Sequence, residues 1–171
     1  MKKYHQMQSK SSVEKIDILK RRASRIKKIR EYFEKQSVLE VDTPILSKRA
    51  VSDIHIESIG ATVNNKQNFL HTSPEFCMKR ILAMCSADIY QICKVFRDHE
   101  KGSLHSPEFT MVEWYRMNFT LQDIINDTCH LISLILTNNQ NKLTRDTWTY
   151  QDIFIHYLGI CLLYTSPSPR D

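Results

Sequence analysis

The sequence predicts an α+β fold in which an antiparallel sheet is flanked by helices. Two strand-like runs, Ile89–Arg97 and Phe109–Arg116, stand on either side of a polar loop and can pair as a hairpin. Helical patterns precede and follow them. Apolar residues recur at three- and four-residue steps between Asp17 and Phe33, and an apolar run of helical character follows Thr120.

Short strands are expected between the first helix and the hairpin. Val38–Thr43 has the residues of a short strand, which ends at Pro44 because proline has no backbone N–H to donate to a neighbouring strand. Two more short strands are expected around Ile54–Ile59 and Phe69–Thr72. Residues 1–16 are polar and largely without pattern, and they are predicted to form a disordered leader.

Helix starts are marked by capping residues. In Ser73-Pro74-Glu75 the serine is a good N-cap, proline suits the first turn, and the acid opposes the positive end of the helix dipole. This helix is predicted to end near Met84. Two later starts share the spacing Thr-x-x-Asp, which is typical of a capping box: Thr120-x-x-Asp123, for a helix to about Leu136, and Thr149-x-x-Asp152.

The composition is that of an ordinary globular domain. The chain has 171 residues, of which 42% are hydrophobic and 25% charged. No run of 18 apolar residues exists, which excludes a membrane span, and no apolar stretch follows the basic N-terminus, which excludes a signal peptide. The five cysteines contain no C-x-x-C pair, so reduced thiols and a cytoplasmic location are expected rather than a zinc site or disulfides.

Positive charge is concentrated in the first helix. The net charge is +5, and Lys20–Lys35 contains eight basic residues and two acidic ones. Such a run is consistent with a solvated helix face or with a patch that meets an acidic partner, either nucleic acid or protein. Charge alone does not separate these alternatives.

The hairpin contains the residues with the clearest chemical potential. With only three glycines and no glycine-rich loop, side chains would have to hold the phosphates of any bound nucleotide. Side chains alternate along a strand, so the pairing predicts one shared face. This face comprises Gln91, Cys93, Val95, Arg97, Phe109, Met111, Glu113 and Tyr115.

Arg97 and Glu113 are the informative members of that face. Arg97 is expected at the loop end near Phe109, and a guanidinium binds phosphate or carboxylate in a bidentate way. A carboxylate among apolar residues is costly without a cation, so Glu113 is expected to have a positively charged partner such as a substrate ammonium. Each residue alone would more often be a core residue or half of an internal salt bridge. Their combination indicates a site.

Residues 95–116 resemble motif 2 of the class II aminoacyl-tRNA synthetases, and the lysyl branch in particular. The string from His105 to Glu113, H-S-P-E-F-T-M-V-E, has that branch's characteristic pattern. The helix, strand and proline of residues 17–44 resemble motif 1, the dimer-interface element. Ser73-Pro74-Glu75 resembles the segment that contacts the amino acid in lysyl enzymes.

Within that branch, the run Glu113–Arg116 (E-W-Y-R) is similar to the elongation factor P β-lysine ligases. The short leader also differs from lysyl-tRNA synthetases, which have an anticodon-binding domain before motif 1. The resemblance implies that ATP activates (R)-β-lysine or lysine as an adenylate, which is then ligated to a lysine side chain of elongation factor P. It further implies ATP and Mg²⁺ as cofactors and a homodimer formed through motif 1, with neither tRNA nor a membrane as partner.

The same resemblance implies roles for individual residues, and it assigns no protein ligand to a metal. Arg97 would bridge the substrate carboxylate and the α-phosphate, Phe109 would stack on adenine, and Glu75 would receive the substrate's amino group. Ser73 and Pro74 complete the segment around Glu75, Glu113 and Tyr115 would hold the distal ammonium, and Asp98, His99, Glu100, His105 and Ser106 would lie near ATP.

Two residues depart from the family pattern. His99 stands where the class II pattern has glutamate, and Glu100 is expected to take that role. Ser106 stands where asparagine is usual, which removes one amide from the expected ATP contacts.

Three expectations concern the extent of the chain. Residues 17–160 are expected to be the N-terminal part of a class II catalytic domain, whose motif 3 is not found, so the fold is predicted to be incomplete at its C-terminus. Residues 161–171 (CLLYTSPSPRD) resemble the read-through of a sequencing adapter and are predicted to be non-native. This 171-residue product is therefore expected to lack adenylating activity.

Two other functions remain open. One is a fragment of a lysyl-tRNA synthetase that charges tRNA. The other is a non-catalytic paralogue, which is disfavoured because Arg97, Glu113 and Tyr115 are all present. Nucleic-acid binding without catalysis has the least support, since basic and aromatic residues do not interleave.

Overall fold

A computed structural model describes residues 12–100, 102–103, 105–136 and 144–160. The chain divides into two compact units, residues 1–135 and 136–171. The elements within the described ranges are α1 (Ser12–Glu34), β1 (Leu39–Glu40), β2 (Leu46–Ser47), β3 (Gly60–Val63), β4 (Lys66–Leu70), α2 (Glu75–Cys85), β5 (Ile89–Phe96), β6 (Glu108–Tyr115), α3 (Leu121–Leu136) and α4 (Tyr150–Leu158).

The central sheet of the first unit has the order β1-β5-β6. β5 and β6 pair antiparallel along their whole length, from Ile89 opposite Tyr115 to Phe96 opposite Glu108. The predicted hairpin is therefore confirmed, with the first strand one residue shorter than expected and the second shifted by one residue towards the N-terminus. β1 joins β5 in parallel, with Leu39 opposite Ile89, so the sheet is mixed rather than purely antiparallel. The α+β class is as predicted.

One face of this sheet packs against α1 and forms the apolar core. The apolar stripe of α1 ends at Phe33, which is fully buried and stacks on Tyr90 with 4.3 Å between ring centroids. Leu131 from α3 is buried in the same cluster, and Trp114 of β6 packs against it. Burying such side chains contributes roughly 1.5–3 kcal/mol each, so this face anchors the hairpin to the helices.

A second sheet, with the order β2-β4-β3, lies between α1 and α2 in the sequence. Its hairpin turns at Asn64 and Asn65, whose φ angles of 51° and 58° are the left-handed values that a type I′ turn requires and asparagine tolerates. Backbone hydrogen bonds link the segment after β4 to the central sheet, because Phe96 N donates to His71 O at 3.0 Å. This link places residues 71–75 beside β5.

Several predicted boundaries are wrong. Residues 54–59 form no strand, and Ile54 is 89% exposed; its apolar side chain faces solvent rather than a sheet. The strand expected at Phe69–Thr72 lies earlier, at Lys66–Leu70, and Val38–Thr43 is reduced to Leu39–Glu40.

The sequence predicts that residues 1–16 form a disordered leader and that residues 161–171 are a non-native tail. α1 begins at Ser12, so residues 12–16 belong to a helix and not to a disordered leader. The rest of that leader, residues 1–11, and the tail at residues 161–171 fall outside the described residues.

The capping predictions hold at two helices and shift by one residue at the third. Before α3, Thr120 Oγ1 accepts from Asp123 N at 3.3 Å and Asp123 Oδ2 accepts from Thr120 N at 2.9 Å, which is a capping box. In the second unit, Thr149 accepts from Asp152 N at 3.0 Å. At α2 the N-cap position is occupied by Pro74, not Ser73, because the helix begins one residue later than predicted.

Two further features concern the described residues alone. No helix among them is long and apolar enough to cross a membrane. The four cysteines that they include, Cys77, Cys85, Cys93 and Cys129, form no disulfide. The fifth, Cys161, lies outside the described ranges.

Candidate active site

The face of the hairpin opposite the Phe33 core contains the predicted site residues. Gln91 lies opposite Glu113, Cys93 opposite Met111, and Val95 opposite Phe109. Directly opposed residues of an antiparallel pair point to the same side, with their Cβ atoms about 4.5–5.5 Å apart. The shared face predicted from strand alternation is thus confirmed. We call it the site face.

Arg97 and Phe109 lie together at the loop end of the site face. Arg97 continues the pairing by donating its backbone N–H to Pro107 O at 2.9 Å, and its Cζ lies 5.2 Å from the centroid of the Phe109 ring. Its Nε donates to Thr72 O at 3.4 Å, which brings the guanidinium next to the segment before α2. No carboxylate within the described residues forms an ion pair with Arg97.

Glu113 is held by hydroxyl groups. Ser73 Oγ donates to its Oε1 at 2.6 Å, and Tyr115 OH donates to its Oε2 at 3.3 Å. Among the described residues no cation lies within ion-pair distance of this half-buried carboxylate. Burial first, and then the charge of Glu113, raise the pKa of Tyr115 above its ordinary value, so the phenol stays protonated and keeps its donor.

Residues 73–75 contribute the hydroxyl of Ser73 and the carboxylate of Glu75 next to Glu113 and Tyr115. Ser73 Oγ also accepts from Glu75 N at 3.0 Å, which fixes the serine while it donates to Glu113. Glu75 stands in the first turn of α2, where Lys79 Nζ contacts its Oε1 at 2.5 Å. After burial and the charge of Glu113, the charge of Glu75 also contributes to the raised pKa of Tyr115.

The residues after Arg97 diverge from one another. His99 has a left-handed backbone, with φ 58°, and its Nε2 lies 3.2 Å from Glu57 Oε2. Its ring is therefore turned towards residues 50–58, with which Asp98, His99 and Glu100 line a cleft of about 540 Å³. Glu100 also approaches the tip of the hairpin, where its Oε2 is 4.0 Å from His105 Nε2.

His105 closes a tight turn at the tip of the hairpin. Its backbone N–H donates to Gly102 O at 3.2 Å. A Cβ at position 102 would lie 2.9 Å from His105 Nδ1, so glycine leaves the room that this ring occupies. His105 and its neighbour Ser106 are both exposed. The structure therefore brings His105 to Glu100, whereas the ring of His99 contacts Glu57.

Two residues of the Glu113–Arg116 run, Trp114 and Arg116, contact Asp127 on the opposite face of the hairpin. Arg116 has a side chain only 2% exposed, and its Nε donates to Asp127 Oδ2 at 3.0 Å while its Nη1 contacts Asp88 Oδ2 at 3.2 Å. Asp127 also accepts from Trp114 Nε1 at 3.1 Å and from the Tyr32 hydroxyl. Burial acts to raise the pKa of Asp127, but the hydrogen bonds from Arg116 and Tyr32 outweigh it, so the pKa is lowered. Strand alternation could have separated these residues from Glu113 and Tyr115.

Gln91 has a buried side-chain amide without a hydrogen-bond partner among the described residues, which the sequence did not indicate. Its side chain is 1% exposed, and neither Oε1 nor Nε2 has a hydrogen-bond partner among the described residues. Alternation placed it on the site face, but nothing in the sequence indicated that its amide would be left without a partner beside Glu113.

The described residues contain no cluster of three or more histidine, cysteine, aspartate or glutamate side chains that could hold a metal ion. Mg²⁺ bound with a nucleotide typically has one or two carboxylate ligands, with phosphate oxygens and water completing its shell. Asp98 and Glu100 next to Arg97 are carboxylates of this kind.

Comparison with known proteins identifies the class. Residues 2–157 match the family model of class II tRNA synthetases (D, K and N), so the chain belongs to this family. It is 44% identical to elongation factor P–(R)-β-lysine ligase of Vibrio atlanticus over 154 residues, which cover 86% of this chain and 46% of that protein. The ligase of the same name from Buchnera aphidicola is 41% identical over 92% of this chain and 49% of its own length.

These relatives confirm the resemblance expected from the hairpin, and the chain spans about half of their length. A solved structure shares the fold: asparaginyl-tRNA synthetase from Pyrococcus horikoshii, complexed with asparaginyl-adenylate, superposes with a TM-score of 0.63 at 23% identity. The match covers 69% of this chain and 27% of that one.

Proposed function

We propose that the full-length protein activates (R)-β-lysine or lysine with ATP and transfers it to a lysine side chain of elongation factor P. One observation supports this most directly. The half-buried carboxylate of Glu113 is held by two hydroxyl groups and has no cation among the described residues, while the guanidinium of Arg97 on the same face has no carboxylate. These two charges complement the two ends of a lysine-type substrate.

The distal ammonium of the substrate would bind at Glu113. A buried carboxylate is costly unless it is paired, and an ammonium supplies three N–H donors. Tyr115 donates a hydrogen bond to Glu113, so its hydroxyl oxygen remains able to accept a hydrogen bond from the same ammonium. Ser73 fixes the other carboxylate oxygen, and Glu75 provides a second negative charge for the substrate's other amino group.

Adenylate formation would take place at Arg97. The substrate carboxylate attacks the α-phosphate of ATP, a carboxylate–phosphate bond forms, and pyrophosphate leaves. Two anions must approach each other, and a fixed guanidinium between them lowers that repulsion without reorganisation. Phe109 beside Arg97 offers a ring on which adenine can stack.

The hairpin loop would complete the ATP contacts that this part of the chain provides. We assign Glu100 rather than His99 to ATP, because His99 is turned towards Glu57 while Glu100 faces His105. Asp98 and Glu100 are suitable carboxylates for the Mg²⁺ that accompanies the phosphates. The positive charge of the Mg²⁺ would offset the negative charge of these two carboxylates. Ser106, exposed next to His105, lies at the phosphate or ribose end.

The assignment of elongation factor P as acceptor rests on the relatives, which are named as its (R)-β-lysine ligases. With this acceptor, the reaction needs neither tRNA nor a membrane and takes place in the cytoplasm. We further propose a homodimer through α1, where Ile16 and Leu19 are 51% and 65% exposed and present apolar surface outside the core. Sedimentation of the full-length protein tests this: a dimer that Leu19→Glu dissociates is expected, and an unchanged mass would contradict it.

The decisive assay is ATP–pyrophosphate exchange by the full-length protein with (R)-β-lysine, lysine or norleucine, which lacks the distal ammonium. Exchange is expected with the first two and not with norleucine. Transfer is then followed to purified elongation factor P and, in parallel, to lysine tRNA. Label on elongation factor P supports the proposal, label on tRNA alone assigns the chain to the lysyl-tRNA synthetases, and absence of any amino-acid-dependent exchange refutes the activity.

A further inference from the structure

Gln91 lies in the middle of the central strand, below the proposed ammonium pocket. β5 pairs with β1 on one side and β6 on the other, so the backbone of Gln91 is inside the sheet. Its direct partner across the strand is Glu113. The two side chains therefore leave the sheet side by side, on the face away from the Phe33 core.

The amide of Gln91 is anomalous for a core residue. Its side chain is 1% exposed, and both polar atoms are buried with no hydrogen-bond partner among the described residues. Buried polar groups in folded proteins are nearly always paired, since an unpaired one loses its bonds to water and gains none. A methionine or leucine would fill this place without losing hydrogen bonds to water, so the amide does not stabilise the fold.

We infer that Gln91 is a specificity-determining residue whose Oε1 accepts a hydrogen bond from the distal ammonium of the bound amino acid. This inference rests on the proposed function. An ammonium has three donors, and the cluster then has one acceptor for each: the carboxylate of Glu113, the hydroxyl oxygen of Tyr115 and the amide oxygen of Gln91. The amide adds an acceptor without a second negative charge, and its Nε2 can donate to Glu113.

The neighbouring positions support this reading. Cys93, the next residue of β5 on the same face, has its pKa raised to about 11 by burial and by the charge of Glu113. The thiol therefore stays neutral and contributes no competing charge. Val95 beyond it is fully buried. Four residues of β5 lie on this face, and of Ile89, Gln91, Cys93 and Val95 only Gln91 offers an amide oxygen to an ammonium.

The test uses the full-length protein and the variant Gln91→Met, which keeps the shape and removes both polar atoms. Its KM for the lysine-type amino acid is expected to rise roughly 10-fold, the scale of one hydrogen bond to a charged group, while its KM for ATP stays the same. The preference for lysine over norleucine in kcat/KM should fall by the same factor. In the absence of substrate, the melting temperature should be equal to or higher than that of the parent.

Two comparison variants separate binding from folding. Gln91→Glu retains an acceptor oxygen, so it should keep a KM for lysine close to that of the parent while melting at a lower temperature without substrate. Gln122→Met makes the same chemical change on the exposed face of α3 and should alter neither quantity.

The outcomes are distinct. If Gln91→Met keeps the parental KM and lysine preference, or only melts earlier, the inference is overturned and Gln91 has a structural role. If the parent itself shows no lysine-dependent exchange, the proposed function fails, and the inference that rests on it fails too.

Discussion

The two faces of the β5–β6 hairpin satisfy their polar groups in opposite ways. On the α1 face, Arg116 and Asp127 are both buried and paired with each other, and Asp127 receives further hydrogen bonds from Trp114 and Tyr32. On the site face, Arg97 and Glu113 each lack an oppositely charged partner among the described residues. The first face is complete without a ligand. Under the proposed function, the substrate supplies the second face with a cation at Glu113 and an anion at Arg97.

This difference separates residues that stabilise the fold from residues that bind. Glu113 and Tyr115 alternate with Trp114 and Arg116 at the end of β6 and directly after it, so the two roles are interleaved in the sequence. A buried charge with a full set of partners can be removed only at a cost in stability. A charge whose partner is the substrate can be neutralised with little loss of stability, or with a gain in stability, in the unliganded protein.

The largest effect is expected from Arg97→Ala in the full-length protein. Removal of a fixed cation from the reacting anions should lower lysine-dependent ATP–pyrophosphate exchange by on the order of 100- to 1000-fold. The melting temperature should change little, because Arg97 forms no ion pair among the described residues. Arg80→Ala, which removes an exposed arginine from α2, is the matched control. Normal exchange by Arg97→Ala would show that motif 2 has been misplaced.

On the opposite face, Asp127→Asn should lower the free energy of unfolding by about 3 kcal/mol, because it removes the more buried of the two carboxylates that pair with the Arg116 guanidinium and leaves only Asp88. Denaturant-induced unfolding measures this. Asp123→Asn, which changes the exposed acid of the α3 capping box, should cost much less. Equal losses in the two variants would mean that the Arg116–Asp127 pair is not the buried anchor described here.

The same pair predicts a dependence on pH. The pKa of Asp127 is lowered in the folded protein, so its contribution to stability is complete above the ordinary aspartate value, about 3.9, and is lost as the pH falls through the folded value. The difference in unfolding free energy between the parent and Asp127→Asn should therefore be constant from about pH 7 to 5 and decrease below about pH 4. A difference that grows in acid would have the wrong sign for this account.

A smaller effect is expected from an exposed pair on the α1 side. Arg30 Nη2 contacts Glu40 Oε1 at 3.1 Å, but the two side chains are 51% and 40% exposed. Solvent screens such a pair, so Arg30→Met should cost less than about 1 kcal/mol of unfolding free energy. A loss as large as that of Asp127→Asn would show that burial is not what distinguishes these contacts.

Much of the hairpin could be predicted from the sequence because strand alternation is a local property. Alternation predicted the shared face and the proximity of Arg97 to Phe109. The capping boxes at Thr120 and Thr149 were equally local. These features depend on residues that are neighbours in the chain or across one turn.

The rest depends on contacts distant in sequence. The apolar residues of Ile54–Ile59 predict a strand there, but the strand lies directly after them, at Gly60–Val63, where it pairs with β4. The parallel pairing of β1 with β5 joins Leu39 to Ile89, which no local pattern indicates. The packing of helices on the sheet likewise decides that Arg116 contacts Asp127 and that the amide of Gln91 has no hydrogen-bond partner among the described residues. No local pattern indicates either feature.

The central claim is tested most directly by measuring stability and the KM for the lysine-type amino acid in Glu113→Gln and Asp127→Asn of the full-length protein. Glu113→Gln should melt at the parental temperature or above and raise this KM on the order of 100-fold, because a charge pair with the substrate is lost. Asp127→Asn should melt well below the parent, yet its folded fraction should keep the parental KM. The reverse pattern, a destabilised Glu113→Gln with an unchanged KM, would contradict the assignment of the two faces.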